Sequence, residues 1–293
     1  MDRQQDDVSL DRLLLRRSFE NAAAGYQAAA VLQREIGNRL RERLELTVLE
    51  PARILDLGCG PGLQIKALAK RYPAAQVSGA DLAMNMLLAG RHVHGWFRRT
   101  PLVCADALRL PFKTACFDLV YSNLMLQWCD DLDMVFRELR RVMRPHGLLL
   151  FSTFGPDTLK ELRSAWRAVD GYQHVNRFID MHDIGDALLR AGFAEPVMDV
   201  EHVTLTYADV HALMHDLKRI GAHNVASGRA RGLYGRRRMQ QLEQAYAQFR
   251  TQGRVPATYE VVYGTAWTPA YMPVDVLAPG ELSTSRQRNP ELG

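Results

Sequence analysis

The sequence predicts an α/β fold, a mostly parallel sheet with helices on both faces. Three observations carry this. Short β-rich runs alternate with helical stretches through the middle of the chain. The first of those runs, "ARILDLG", enters a glycine-dense turn and then a helix. In the last, "ATYEVVYGTAW", Tyr259, Val261 and Tyr263 alternate, which suits an antiparallel strand beside the one before it.

The elements follow in order. Residues 19–47, "FENAAAGYQAAAVLQREIGNRLRERLELT", carry apolar residues at helical spacing and predict one or two amphipathic helices. "LQIKALAKRY" is helical, "AQVSGAD" a strand, "AMNMLLAGRHV" a helix and "PLVCAD" a strand. "CFDLVYSN" reads as a strand, "LDMVFRELRRVM" as a helix and "GLLLFSTF" as a strand. The rhythm then changes. "PDTLKELRSAW" and "MHDIGDALLRAGF" are helices, "PVMDVEHVTLTY" a strand, and "ADVHALMHDLKRIGA" and "RRRMQQLEQAYAQF" two further helices before the closing strand. No internal repeat and no long linker divides the chain. The expected division is an N-terminal helical lid over 1–47 and one domain over 48–270. A helical insert at about 205–252 precedes the last strand, and a disordered tail occupies 271–293.

Composition narrows the class. Of 293 residues, 47% are hydrophobic and 24% charged, as in an ordinary globular domain. A net charge of +4 is too weak to imply nucleic acid. The polar start "MDRQQDDVSLDR" is no signal peptide, and no apolar run approaches the roughly 18 residues of a membrane span. Cys59, Cys104, Cys116 and Cys129 share no metal-ligand spacing and read as reduced thiols in a cytoplasmic protein. His211 and His215 stand four apart on a helix, but no third ligand accompanies them, so no metal is expected.

"LDLGCGPG" (55–62) leaves a strand and opens a helix. Its glycines at 58, 60 and 62 permit a tight turn and close backbone approach to a ligand. The spacing is G-x-G-x-G, not the G-x-G-x-x-G of a dinucleotide loop, and Asp56 precedes the first glycine by two. A carboxylate there repels a pyrophosphate but can bind an ammonium. S-adenosylmethionine offers an ammonium and no phosphate. "DLGCGPG", Asp81 at the end of the second strand, "CADALRLPF", "FDLVYSN" and "LRRVMRPHGLLLFS" together resemble the class I methyltransferases, whose Rossmann-like fold has seven strands with the last antiparallel. The resemblance implies S-adenosylmethionine as cofactor. Asp81 would take the ribose hydroxyls, Asp106 the exocyclic amine of adenine, and Ala107 would lend its amide. Asp56, Gly58, Gly60, Gly62, Leu82 and Asn123 complete the expected cofactor set.

The acceptor is read from the remaining blocks. "SNLMLQWC" offers no Asn-Pro-Pro-Tyr signature and no evident base, which suits an acceptor that is already ionised, such as a carboxylate. "SFENAAAGYQAAAVLQ", "SNLMLQWCDDL", "TLKELRSAWRAVDGYQHVNRF", "LKRIGAHN" and "TYEVVYGTAW" resemble the malonyl-acyl-carrier-protein O-methyltransferases of biotin synthesis, from about Phe19 to about Trp267. This implies methylation of the free carboxylate of a malonyl thioester, with an acidic carrier protein as partner. A methyltransferase of a quinone precursor and a protein-modifying assembly factor remain as alternatives.

Within "VDGYQHVNRF" (169–178), Arg177 has no acid among its near neighbours and is the expected clamp for the malonyl carboxylate. Tyr26 would close over the cofactor from the lid. Gln127 and Trp128, after the fourth strand, would line the pocket near the sulfonium. Arg229, Arg231, Arg236, Arg237 and Arg238 crowd one stretch that suits weak, salt-sensitive docking of an acidic carrier protein. Aromatic residues are sparse there, which disfavours nucleic acid.

Overall fold

The structure is a computed structural model that describes residues 10–90, 100–222, 224 and 235–270. Among these residues the chain forms α1 (Arg12–Ala29), α2 (Val31–Glu42), β1 (Arg53–Leu57), α3 (Ile65–Arg71), β2 (Gln76–Asp81), α4 (Met84–Gly90), β3 (Leu102–Cys104) and β4 (Phe117–Asn123). It continues through α5 (Leu132–Val142), β5 (Met143–Phe154), α6 (Lys160–Arg167), α7 (Met181–Arg190), β6 (Ala194–Tyr207), α8 (Val210–Arg219), α9 (Arg236–Tyr246) and β7 (Val255–Trp267).

The seven strands form one sheet in the order β3-β2-β1-β4-β5-β7-β6. Strands β1 to β5 pair in parallel, and β7 runs antiparallel to both neighbours. This is the class I methyltransferase sheet that the sequence predicts. β1 and β4 are near-continuous apolar runs because helices bury them on both faces. Two core clusters result, one on each face. The first joins Ile36, Leu40, Ile54, Leu119 and Leu148. The second joins Leu55, Val120, Phe136, Leu149 and Phe151. β6 lies at the sheet edge, so its side chains alternate between half-buried and exposed over most of its length.

The N-terminal helices depart from the sequence reading at one boundary. α1 starts at Arg12, seven residues before the predicted helical stretch, because Asp11 caps it by accepting from the Leu14 amide at 3.0 Å. α2 lies close on the sheet, and the Tyr121 hydroxyl donates to the Gly37 carbonyl at 2.7 Å. Gly37 lets the helix lie this close, since a Cβ there would come within 2.4 Å of the Gln64 side-chain amide and make it move.

Candidate active site

A cavity of about 260 Å³ opens at the carboxyl ends of β1, β2 and β4, where ligands bind in open parallel sheets. The glycine loop forms its floor. The amides of Gly58 and Cys59 both donate to the Ala80 carbonyl, at 2.8 and 3.1 Å, which ties the turn to β2. Gly58 sits at φ 71°, and a Cβ there would come within 2.4 Å of Met125 Cγ. The loop is therefore closed to any other residue on two counts.

Two carboxylates lie under this turn. Asp81 accepts from the Gly60 and Ala83 amides, each at 2.8 Å. Burial pushes its carboxyl up, against those two bonds. Asp56 is 3% exposed and its Oδ2 has no hydrogen bond. Burial, and then the charge of Asp81, push the Asp56 carboxyl up to about 8. Asp56 does not itself line the cavity and stands behind the wall made by Leu57 and Gly58. Gly62 likewise turns the chain without reaching the cavity. Leu82, Asp106, Ala107 and Asn123 do line it. The Leu108 amide fixes Asp106 at 3.0 Å. Asn123 donates to the Gln33 carbonyl at 2.9 Å and accepts from Ser152 Oγ at 2.8 Å, so its amide orientation is set by α2 and β5.

One face of α1 covers this end. Arg12, Phe19 and Tyr26 stand seven apart, and with Leu15 they all line the cavity. Arg12 pairs with Asp106. Phe19 meets Trp128 edge-on, with ring centroids 5.3 Å apart. Tyr26 borders the glycine loop, since a Cβ at Gly60 would lie 3.8 Å from its Cε1. Burial, then Asp81, push the Tyr26 phenol up, so it stays protonated at neutral pH and is no base. The sequence reading missed Arg12 and Phe19. Their seven-residue spacing from Tyr26 was the available signal.

The far end of the cavity is the stretch after α6. His174, Val175, Asn176 and Phe178 line it, facing Phe154, Leu217, Ile220 and Tyr259. Gln127 lines the middle, donating to the Leu124 carbonyl at 2.7 Å and accepting from Thr153 Oγ1 at 3.2 Å. Arg177, the expected clamp, does not line this cavity. It is exposed and lines a smaller cavity of about 140 Å³ with Gln173 and Ile179. The reason is local. The backbone here is neither helix nor strand, and His174, Asn176 and Phe178 face one side while Gln173, Arg177 and Ile179 face the other. Asp180, the acid nearest in sequence, caps α7 and bonds His182.

Of the arginine cluster, Arg236 and Arg237 are exposed at the start of α9 and Arg238 is half-buried. Arg229 and Arg231 lie outside the described residues. His211 pairs with Glu243, and no group of three metal-ligating side chains occurs among the described residues.

The residues present fit an adenosyl sulfonium with an amino-acid tail. The Asp81 carboxyl lies beneath the loop, the Asp56 carboxyl behind it holds an orphaned oxygen and can ionise once a cation meets it, and no cation among the described residues is paired with either. Asp106 is engaged by a partly exposed arginine, a contact worth about 0–1 kcal/mol and readily broken.

Comparison with known proteins agrees with this geometry. The family model described as a methyltransferase domain matches residues 55–151. The chain is 54% identical over 271 residues to the malonyl-[acyl-carrier protein] O-methyltransferase of Methylovorus sp. strain MP688, covering 90% of this chain and 91% of that protein. It is 52% identical over 272 residues to the protein of the same name from Gallionella capsiferriformans, covering 90% and 93%. Among solved structures, the YcgJ protein of Bacillus subtilis superposes with a TM-score of 0.57 at 16% identity, over 79% of this chain and 98% of that one. That likeness concerns the fold alone.

Proposed function

The chain belongs to the malonyl-[acyl-carrier protein] O-methyltransferases, and from that premise we propose that it methylates the free carboxylate of a malonyl thioester carried by an acyl carrier protein. The chain is an S-adenosylmethionine-dependent methyltransferase. The ester formed would serve as the primer for pimeloyl synthesis in biotin biosynthesis, a cytoplasmic reaction. No described helix is long and apolar enough to cross a membrane.

The observation that carries the reading is one continuous cavity. It runs from the glycine loop and Asp81, past Asn123 and Gln127, to the chamber lined by His174, Phe178 and Tyr259. A cofactor and a small acceptor would meet at its waist. When bound, S-adenosylmethionine supplies a methyl group on a sulfonium sulfur, already activated for displacement. The chain's own work is then to hold and to exclude water. Asp81 provides an acceptor for the ribose, and Asp56, mostly protonated at pH 7 without cofactor, would ionise to meet the ammonium. Asp106 and Ala107 border the adenine side. The described part of the expected lid over 1–47 serves to cover this end, with Phe19 packed on Trp128 and Tyr26 against the loop. A carboxylate acceptor needs no base at neutral pH, which agrees with a Tyr26 that stays protonated.

An acyl carrier protein is acidic and would be drawn to Arg236 and Arg237, which stand exposed at the start of α9. Mass spectrometry of malonyl-carrier protein after incubation with enzyme and S-adenosylmethionine tests the reading. The expected result is a gain of one CH2 on the thioester arm. An unchanged arm, with the cofactor bound to the enzyme, would rule this acceptor out.

A further inference from the structure

The acceptor chamber contains a buried polar assembly that the cofactor does not need. His174 lies flat on Trp166, with ring centroids 3.7 Å apart and planes 6° from parallel. Its Nε2 is 2.7 Å from Asp170 Oδ1. Both side chains are nearly dry, at 5% and 11% exposure. Asp170 also accepts from the Tyr172 amide at 3.0 Å. Its second oxygen has no hydrogen bond, and Arg238 Nη1 stands 3.8 Å away on α9. Arg238 in turn lies over the Tyr172 ring, 6.0 Å from its centroid. Three charged or chargeable groups thus run in line from the surface of α9 to the cavity wall.

The cavity's own charges make this line significant. Among the described residues that line it, Arg12 and His174 are the basic ones. Arg12 stands at the cofactor end, paired with Asp106. A carboxylate brought into the acceptor chamber would otherwise face the side chains of Val175, Phe178, Leu217 and Ile220 and a few neutral polar groups. An ion is costly in such surroundings unless an opposite charge meets it.

We propose that His174 recognises the acceptor carboxylate, as the inner end of an alternating chain Arg238–Asp170–His174 that is completed by the substrate. The inference rests on the acceptor being a carboxylate. The order of the groups supports it. Arg238 and Asp170 already alternate in charge, and a carboxylate that met a doubly protonated His174 would extend the alternation to a neutral set of four. Without Arg238, Asp170 by itself would cancel the charge of such a ring. Burial works to raise the Asp170 carboxyl, but the bond to His174, the Tyr172 amide and the charges of His174 and Arg238 together hold it below the ordinary range, so Asp170 is ionised. Methylation removes the last charge in the chain. In the transfer an acceptor oxygen forms the bond to the methyl carbon and the carbon–sulfur bond breaks, its electron pair staying on sulfur. The ester that remains is neutral and loses its hold on His174, which favours release. Asp170 and Arg238 are positioning residues here, and His174 touches the substrate. The chain also links the docking face to the chamber, because Arg238 follows directly after Arg236 and Arg237.

The test is steady-state kinetics with malonyl-carrier protein, alongside inhibition by acetyl-carrier protein, which lacks the carboxylate. His174→Phe keeps a flat ring for Trp166 and removes both nitrogens. Losing one charge-assisted bond should raise the KM for malonyl-carrier protein about 10- to 100-fold. Cofactor affinity and acetyl-carrier inhibition should stay within about twofold of wild type. Asp170→Asn and Arg238→Gln should raise KM more than they lower kcat, whereas a merely structural role would lower cofactor affinity and both parameters together. His174→Gln decides the matter should the phenylalanine variant fail to bind cofactor. A malonyl KM near wild type in a variant that binds cofactor normally would overturn the proposal. So would loss of malonyl preference in Arg177→Met alone. These outcomes are separate from failure of the assigned reaction, in which wild-type enzyme would not methylate malonyl-carrier protein at all.

Discussion

Asp56→Asn should stabilise the cofactor-free protein while it weakens cofactor binding. The Asp56 carboxyl is 3% exposed, has an orphaned oxygen and is raised from 3.8 to about 8. An acid whose folded value is raised costs stability wherever the unfolded chain ionises it and the folded chain does not. That cost is absent below about pH 4, grows as pH rises and levels off above about pH 8. At pH 7 it is worth about 4 kcal/mol, taking about 1.4 kcal/mol per unit. The amide removes the ionisation but leaves a buried polar group of its own, which returns about 1–2 kcal/mol. The net expected gain is about 2–3 kcal/mol at pH 7, or about 5–10 °C in Tm for a chain of this size. The assay is thermal unfolding of wild type and variant from pH 4 to pH 8, with and without S-adenosylmethionine. The variant should be the less stable by about 1–2 kcal/mol at pH 4, equal to wild type near pH 5 and increasingly the more stable towards pH 8. Added cofactor should stabilise wild type and have little effect on the variant. A gap of constant size across that range, or a variant less stable at pH 8 than wild type, would refute the reasoning.

Other substitutions probe separate parts of the site. Asp81→Ala removes the acceptor for the Gly60 and Ala83 amides as well as for the ribose, and calorimetry should show S-adenosylmethionine affinity falling by about 100-fold or more. Unchanged affinity would end the ribose assignment. Gly58→Ala combines a left-handed backbone with a Cβ 2.4 Å from Met125 Cγ and should cost about 2–5 kcal/mol in denaturant unfolding. A loss below about 1 kcal/mol would mean that the loop relaxes freely. Reversing Arg236 and Arg237 to Glu should raise the KM for malonyl-carrier protein about 3- to 10-fold at low salt, less at high salt, and leave a small malonyl thioester unaffected. Equal effects on both substrates would place docking elsewhere.

The sheet and its cofactor end were legible because their signals are local. A run such as "ILDL" must be buried on both faces, and G-x-G-x-G after Asp56 marks a turn where only glycine fits beside Met125. Asp81 and Asp106 follow strand ends, so sequence position alone set them at the rim. The lid was half legible. Tyr26 stood out, but Arg12 and Phe19 did not, because the helix start depends on the Asp11 cap and its partners Asp106 and Trp128 lie about a hundred residues away. In "VDGYQHVNRF" the sequence singled out a segment that lines the cavity, but the expected clamp Arg177 lines a separate, smaller cavity while His174 faces the main one. An irregular backbone has no fixed period, so composition could not say whether His174 or Arg177 faces inward.

The sequence by itself determined the α/β class, the seven-stranded order of events along the chain, the cofactor loop and the family. Each of these rests on neighbours within a few residues, where backbone sterics and periodic burial act. Only the tertiary structure decided what closes the two ends of the cavity. α1 covers the end bordered by Asp106, and α9 sets Arg238 behind Asp170 and His174. Those contacts join segments far apart in the chain, and their geometry exists only once the helices pack against the sheet.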